Sequence, residues 1–131
     1  MTNLEIPQNL IYTKDHEWIR RDGADHIVLG ITAHAVDQLG DITMVTPKRV
    51  GTQLRAQDVA GEIDSVKVAA QLFSPVSGEI VEVNTALDDA PEAVNQEPYG
   101  AGWMVKIRLS DPSELAGHLD AAAYATFLQE P

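Results

Sequence analysis

Residues 64–84 read DSVKVAAQLFSPVSGEIVEVN, and the organisation of the whole chain turns on how this stretch folds. Strand-forming residues flank Lys67 on both sides: Ala60, Ile63 and Val66 before it, Leu72 and Phe73 after it. If the flanks pair, Lys67 stands at or near a hairpin tip, the most protruding point such a chain offers. Taken alone, a lysine between valines reads as an ordinary exposed strand residue. A protruding amine in a predetermined place is also what a modifying ligase reaches without unfolding its target, so the same pattern has a second reading as an attachment point.

Short strand signals continue outward from this hairpin. EWIRRDGADHIVLGI (17–31) reads as two strands around a turn at Arg21–Ala24. TAHAVDQLG (32–40) reads as a brief helix, with Thr32 as N-cap and Gly40 in the left-handed position after its end. DITMV and VAGEIDSV add strands, and in WMVKIRL (103–109) Trp103, Val105, Ile107 and Leu109 alternate with wetter residues. Asp111 and Glu114 have capping-box spacing, with Pro112 at the first helical position. Asp120 can cap AAAYATFL, where Tyr124, Phe127 and Leu128 share a face. Many short strands broken by Gly and Pro predict a mainly β sandwich or partly closed barrel with helices as decoration. VGTQLRAQDVAGEI and VSGEIVEV echo one another weakly, a thin sign of internal repetition.

Composition narrows the function. A length of 131 residues suits one domain with a single core. Nine Lys+Arg against 20 Asp+Glu give a net charge of −11, which would repel nucleic acid or an anionic membrane and favours basic protein partners. No apolar run approaches membrane-spanning length. There is no cysteine, which removes disulfides and thiol nucleophiles. The four histidines lack paired ligand spacing, so no metal site is expected. MTNLEIPQNL carries no secretory or transit signal, giving a cytoplasmic, bacterial-like expectation. YGAGW (99–103) supplies glycines for a close approach rather than a phosphate loop. His26 and His118 read as surface residues, and Asp88, Asp89 and Glu92 as a solvated acidic loop or part of a docking surface.

KDHEW (14–18), GITAHAVDQLGDI (30–42), DSVKVAAQLFSPVSGEIVEVN (64–84) and NQEPYGAGWMVKI (95–107) together resemble, in order and spacing, the H-protein family of the glycine cleavage system. The resemblance runs from about Tyr12 to Leu128. It implies a lipoyl-domain-like barrel-sandwich hybrid: two antiparallel sheets related by a pseudo-two-fold axis, with short helices including a C-terminal pair. Residues 1–131 would be a single lipoyl-carrier domain, the β core about 12–109 and the helices about 111–128. Lys67 falls at the lipoyl position, with lipoate attached by a lipoyl ligase or transferase, and Gly51 and Gly78 fall where such domains turn sharply.

The resemblance implies a non-catalytic carrier with no catalytic residues of its own. Its lipoyl disulfide accepts an aminomethyl group from glycine on the P protein, a pyridoxal-phosphate decarboxylase. The T protein then passes the methylene to tetrahydrofolate and releases ammonia, and the L protein reoxidises the dithiol. Lysine plus lipoyl group would reach on the order of 14 Å, enough to visit separate active sites at high effective concentration. Family members fold the loaded arm into a cleft, whose counterparts here are Asp15, His16, Glu17 and His34. Glu17 is the carboxylate expected to attract the amine; a solvated strand-end acid is the rival reading. His34 either lines the cleft or packs on its helix, and His16 beside Trp18 leans structural.

The chain departs from the family pattern in places. Gln71 stands where an acid usually helps hold the amine, offering a hydrogen bond but no charge. TPKR (46–49) replaces a customarily acidic run and puts partner contacts there in question; Asp64 and Val68 are milder changes. An H-like relay that supplies lipoyl groups to other lipoyl domains is the alternative function. Biotin domains usually flank their lysine with methionines, and no GxSxG, metal set or P-loop suggests an independent enzyme.

Overall fold

The computed structural model describes residues 6–129. Strands β1 (Ile11–Tyr12), β2 (Glu17–Arg21) and β3 (His26–Ile31) lead into helix α1 (Ala33–Leu39). β4 (Ile42–Pro47), β5 (Gln53–Leu54), β6 (Val59–Ser65), β7 (Ala69–Phe73) and β8 (Gly78–Val83) follow. Short helices α2 (Ala86–Asp89) and α3 (Ala93–Gln96) precede β9 (Val105–Leu109), a 3-10 helix (Pro112–Gly117) and α4 (Ala121–Gln129). The strands form a six-stranded sheet, β1-β2-β3-β9-β8-β5, and a three-stranded sheet, β4-β6-β7. Every pairing is antiparallel, so the mainly β expectation of two antiparallel sheets with short helices holds.

The apolar faces meet between the sheets. Ile19, Ile27, Leu29, Ile80 and Ile107 of the large sheet join Ile63 and Leu72 of the small one in a single buried core. A second cluster lies on the other side of β1–β3, where Tyr12, Trp18 and Val28 pack with Ala121 and Tyr124 of α4. β2 and β3 are therefore covered on both faces, and Glu17, Trp18 and Ile19 are consecutive buried residues rather than an alternation. The Tyr12 and Tyr124 rings stack at 4.7 Å. The Trp18 indole lies across the strand partner Gly30, where a side-chain Cβ would come within 2.6 Å of it. Among the described residues, no helix is long and apolar enough to cross a membrane.

Several local expectations hold and several shift. Thr32 caps α1 by accepting from the Ala35 amide at 3.3 Å, and Asp120 accepts from Ala123 N at 2.8 Å. Gly40 has φ 78° with ψ −153°, an extended mirror region open to glycine rather than the left-handed helical one. The capping box after Asp111 does not close. Asp111 accepts from Ser113 N, but Glu114 reaches the turn before β8 and accepts from Ser77 N at 2.7 Å and Ser77 Oγ at 3.0 Å. That buried-side amide outcompetes the helix-start N–H, and the segment is 3-10 rather than α-helical. β9 starts only at Val105: Met104 is fully buried and Trp103 half-buried, because Met104 N already donates to Leu29 O as the chain joins the sheet. Gly102 makes the close approach expected of YGAGW, lying where a Cβ would come to 2.8 Å from Val94 Cα. His26 and His118 are half-buried with partners, Asp25 at 2.7 Å and the Pro75 carbonyl at 2.8 Å.

The two glycines expected at sharp turns differ in kind. Gly51 has φ 95° with open space around it. Gly78 has no positive φ; it is a glycine because the Arg108 carbonyl of β9 and Ile107 Cγ2 occupy the place a Cβ would take. Substituting Gly78→Ala should therefore destabilise the fold by about 1–3 kcal/mol or more, as overpacking against backbone does. Urea unfolding checks this, and a midpoint equal to the parent's would contradict the crowding argument.

Candidate functional site

Lys67 sits at the tip of the β6–β7 hairpin, exposed between Val66 and Val68, which are themselves 65% and 50% exposed. β-register carries the pairing to the loop through Asp64↔Ala69. Ser65 then closes it: its N–H donates to Val68 O at 2.9 Å, and its hydroxyl oxygen accepts from Lys67 N and Val68 N, each at 3.2 Å. A short hydroxyl side chain satisfying amides just ahead of it is a turn-forming device. Val66 N donates to Asp41 O at 3.0 Å, tying the tip to the end of α1. Asn95 of α3 braces that junction, donating to Gly40 O and accepting from Ile42 N, both at 2.9 Å. The Lys67 side chain runs over Gly40, where a Cβ would stand 3.3 Å from Lys67 Cε. Sequence reading treated Gly40 as a helix stop and did not single out Ser65, Asp41 or Asn95; of these, only the serine ahead of a tight turn carried a local signal.

Farther along the hairpin, Glu62, Ala69, Gln71 and Phe73 line a shallow open concavity of about 390 Å³. Gln71 is exposed and faces Glu62 across the ladder. The β1–β2 loop approaches β7 from the other sheet. There Thr13 Oγ1 accepts from Asp15 N and Glu17 N, each at 3.2 Å, and its hydroxyl donates to Glu17 Oε1 at 3.1 Å. Glu17 Oε2 accepts from Phe73 N at 2.8 Å. Only 2% exposed, Glu17 is a buried inter-sheet clamp rather than a solvated strand-end acid. Burial first and the neighbouring Asp15 second push its carboxyl up to about 8, against the pull of the Phe73 amide and the Thr13 hydroxyl.

His16, with φ 65°, turns into β2 and is held at its backbone by Thr13 O and Thr32 N. Its ring meets that of His34 at 4.4 Å, and Nδ1 lies 2.8 Å from the Tyr124 hydroxyl, which is also 2.9 Å from Thr32 Oγ1. Burial, then His34, hold the His16 imidazole below its ordinary range, with Asp15 opposing. Asp15 itself is exposed. The fold thus brings the His16 and His34 rings together, next in sequence to Asp15 and Glu17, and hydrogen-bonds Glu17 to the strand that carries Gln71. Among the described residues, no group of acids and histidines is arranged to hold a metal ion.

The family model described as glycine cleavage H-protein matches residues 10–131. The chain belongs to the glycine cleavage H-protein family. A glycine cleavage system H protein of Chlorobium limicola is 54% identical over 129 residues, covering 97% of this chain and all of that protein. One from Symbiobacterium thermophilum is 50% identical over 125 residues, covering 95% of this chain and 97% of its own length. The crystal structure of a glycine cleavage system H protein from Mycobacterium marinum superposes with a TM-score of 0.84 at 40% identity, covering 92% of this chain and 97% of that one. Family membership and the two-sheet fold thus agree.

Glu17 makes stability depend on pH in a defined direction. Its carboxyl is raised in the fold from the ordinary 4.5 to about 8, so the folded state binds the proton more tightly than the unfolded chain. The stability this contributes is complete below about 4.5 and is lost as pH rises through about 8. Glu17→Gln should therefore gain stability relative to the parent between pH 5 and pH 8. Urea unfolding across that range measures the difference; a parent-minus-variant gap constant with pH would exclude this account.

Proposed function

We propose that this H-family protein, as a single domain, is a lipoylated, non-catalytic carrier of the glycine cleavage system, with lipoate in amide linkage to Lys67 Nζ. In this role it carries the aminomethyl group from the P protein to the T protein and is reoxidised by the L protein, after a lipoyl ligase or transferase has modified it. The observation that carries the reading is the placement of Lys67. It is exposed at a hairpin tip whose backbone is fixed by Ser65 and Asp41, and its ammonium makes no ion pair among the described residues. Gly40 leaves the stem room, and Val66 and Val68 give apolar shoulders to the attachment point. A bound lipoyl group would supply the two redox-active sulfurs that a chain without cysteine lacks.

The chain's own residues would present and shelter the arm. Strand β7 runs from the tip toward Glu17, about 13 Å from Ala69 to Phe73 at some 3.3 Å per residue. An arm of roughly 14 Å that starts at Lys67, two residues before Ala69, and is laid along it reaches about the level of Gln71, pointing toward the Glu17–Phe73 hydrogen bond. Gln71 offers an uncharged acceptor on the way. Asp15 presents an exposed carboxylate to an amine, whereas Glu17, its carboxyl pushed up to about 8, would have to lose its proton as well as one of its two bonds. His16 and His34 would wall that end, with Tyr124 fixing the His16 ring.

Protein made in a lipoate-competent host should show the mass of one added lipoyl group, and Lys67→Arg should lose it. Glycine–bicarbonate exchange with purified P protein should require the modified chain and fall to background with Lys67→Arg. Exchange undiminished by that substitution would remove the tether from the account. Lipoylation without any exchange would instead point to the relay function.

A further inference from the structure

We infer that the groove between β4 and α2 docks an extended, carboxylate-bearing and partly apolar segment of one of the carrier's partner proteins; the inference rests on the carrier reading above. The groove encloses about 540 Å³ between Met44–Arg49 on one wall and Val83, Leu87 and Asp88 on the other. β4 is an end strand of the three-stranded sheet, with no strand on its outer side among the described residues. Such an edge can accept an extended segment through main-chain hydrogen bonds. Lys and Pro commonly blunt free edges, and Pro47 and Lys48 fit that plainer role. It leaves two apolar side chains unexplained, however. Among the described residues, the exposed large hydrophobics are Met44 at 55%, Val50 at 58%, Val66 and Val68. The last two flank Lys67; Met44 lines the groove, and Val50 directly follows its basic end in sequence.

Charge selects the occupant. In a chain of net charge −11, Lys48 and Arg49 are adjacent and exposed. Neither enters an ion pair among the described residues, whereas Lys106 and Arg108 are both taken by acids. The carboxylates beside the groove are Asp88 on its far wall and Glu62, opposite Thr46 on β6. Two adjacent cations outside any ion pair, on a molecule of net negative charge, are complementary to carboxylates on a partner and would repel basic surfaces that the rest of the chain attracts.

Position makes the groove useful. β4 begins at Ile42, paired with Ser65 at the base of the Lys67 hairpin, and ends at Pro47, paired with Gly61. The pairing from Ser65 to Gly61 spans about 13 Å of strand at some 3.3 Å per residue. A partner seated here therefore presents its own surface within reach of an arm swinging from the tip.

The test uses the full-length lipoylated chain with purified P, T and L proteins. It compares the parent with Lys48→Glu/Arg49→Glu and with the milder Lys48→Gln/Arg49→Gln. The charge-reversed form should raise the KM for the carrier roughly fivefold or more with at least one partner, leave kcat and lipoylation unchanged, and weaken the dependence of KM on salt. The neutral pair should shift KM in the same direction by less. KM unchanged with all three partners overturns the groove while leaving the carrier reading intact. A parent that serves none of the partners fails the carrier reading itself, and the groove assignment falls with it. Self-association of the parent in sedimentation velocity that the charge reversal abolishes would make a second copy the occupant and overturn the assignment to a partner.

Discussion

A buried carboxyl group spans the seam between the two sheets. Glu17 is the first residue of β2 in the large sheet, and its Oε2 takes the Phe73 amide of β7 in the small one. A carboxyl group removed from water is costly unless its oxygens are satisfied, and here Thr13 and Phe73 satisfy both. The bond also uses an amide of β7, an end strand of the small sheet. Losing either partner would leave a buried polar group without compensation, which costs more than the bond contributes when intact. The hairpin that carries Lys67 is therefore anchored at its far end by chemistry intolerant of slippage.

The near end is held differently. Around Lys67 the hydrogen bonds of Ser65, Asp41 and Asn95 are surface or half-buried, each contributing roughly 0.5–1.5 kcal/mol net. Together they fix the backbone of a loop whose lysine side chain stays free. A carrier needs that division: a stiff mount, so the attachment point is found in one place, and a loose arm, so one chain serves several active sites. The outer cluster reinforces it at a distance. α4 packs Tyr124 onto Tyr12 and hands its hydroxyl to His16 and Thr32, which orders the β1–β2 loop from which Glu17 projects. The C-terminal helix thus acts on the site through the β1–β2 loop.

Local chemistry made much of this legible. Thr32 and Asp120 read as caps because their side chains satisfy amides within a few residues of themselves. The hairpin around Lys67 read correctly because its strand-forming flanks are contiguous in sequence. Readings failed where a nonlocal competitor was stronger: Ser77, distant in sequence, claimed Glu114 from its capping box, and the Arg108 carbonyl rather than backbone dihedrals explains Gly78. The same holds for β2. KDHEW marked Asp15, His16 and Glu17 as notable, but strand alternation gave no hint that Glu17 would be buried, since its burial depends on β7 arriving from the other sheet.

By itself, the sequence determined a cysteine-free, acidic, mainly β chain with a lysine at a hairpin tip and the spaced blocks of its family, because these are properties of composition and of residues near one another. Only the tertiary structure decided that Glu17 joins the sheets, that Gly40 yields space to the Lys67 stem, that His16 meets His34, and that Met44, Lys48 and Arg49 line one groove with Leu87 and Asp88. Each depends on segments distant in the chain being brought into contact by burial of a shared core, and no local pattern encodes which backbone group will arrive at a given side chain.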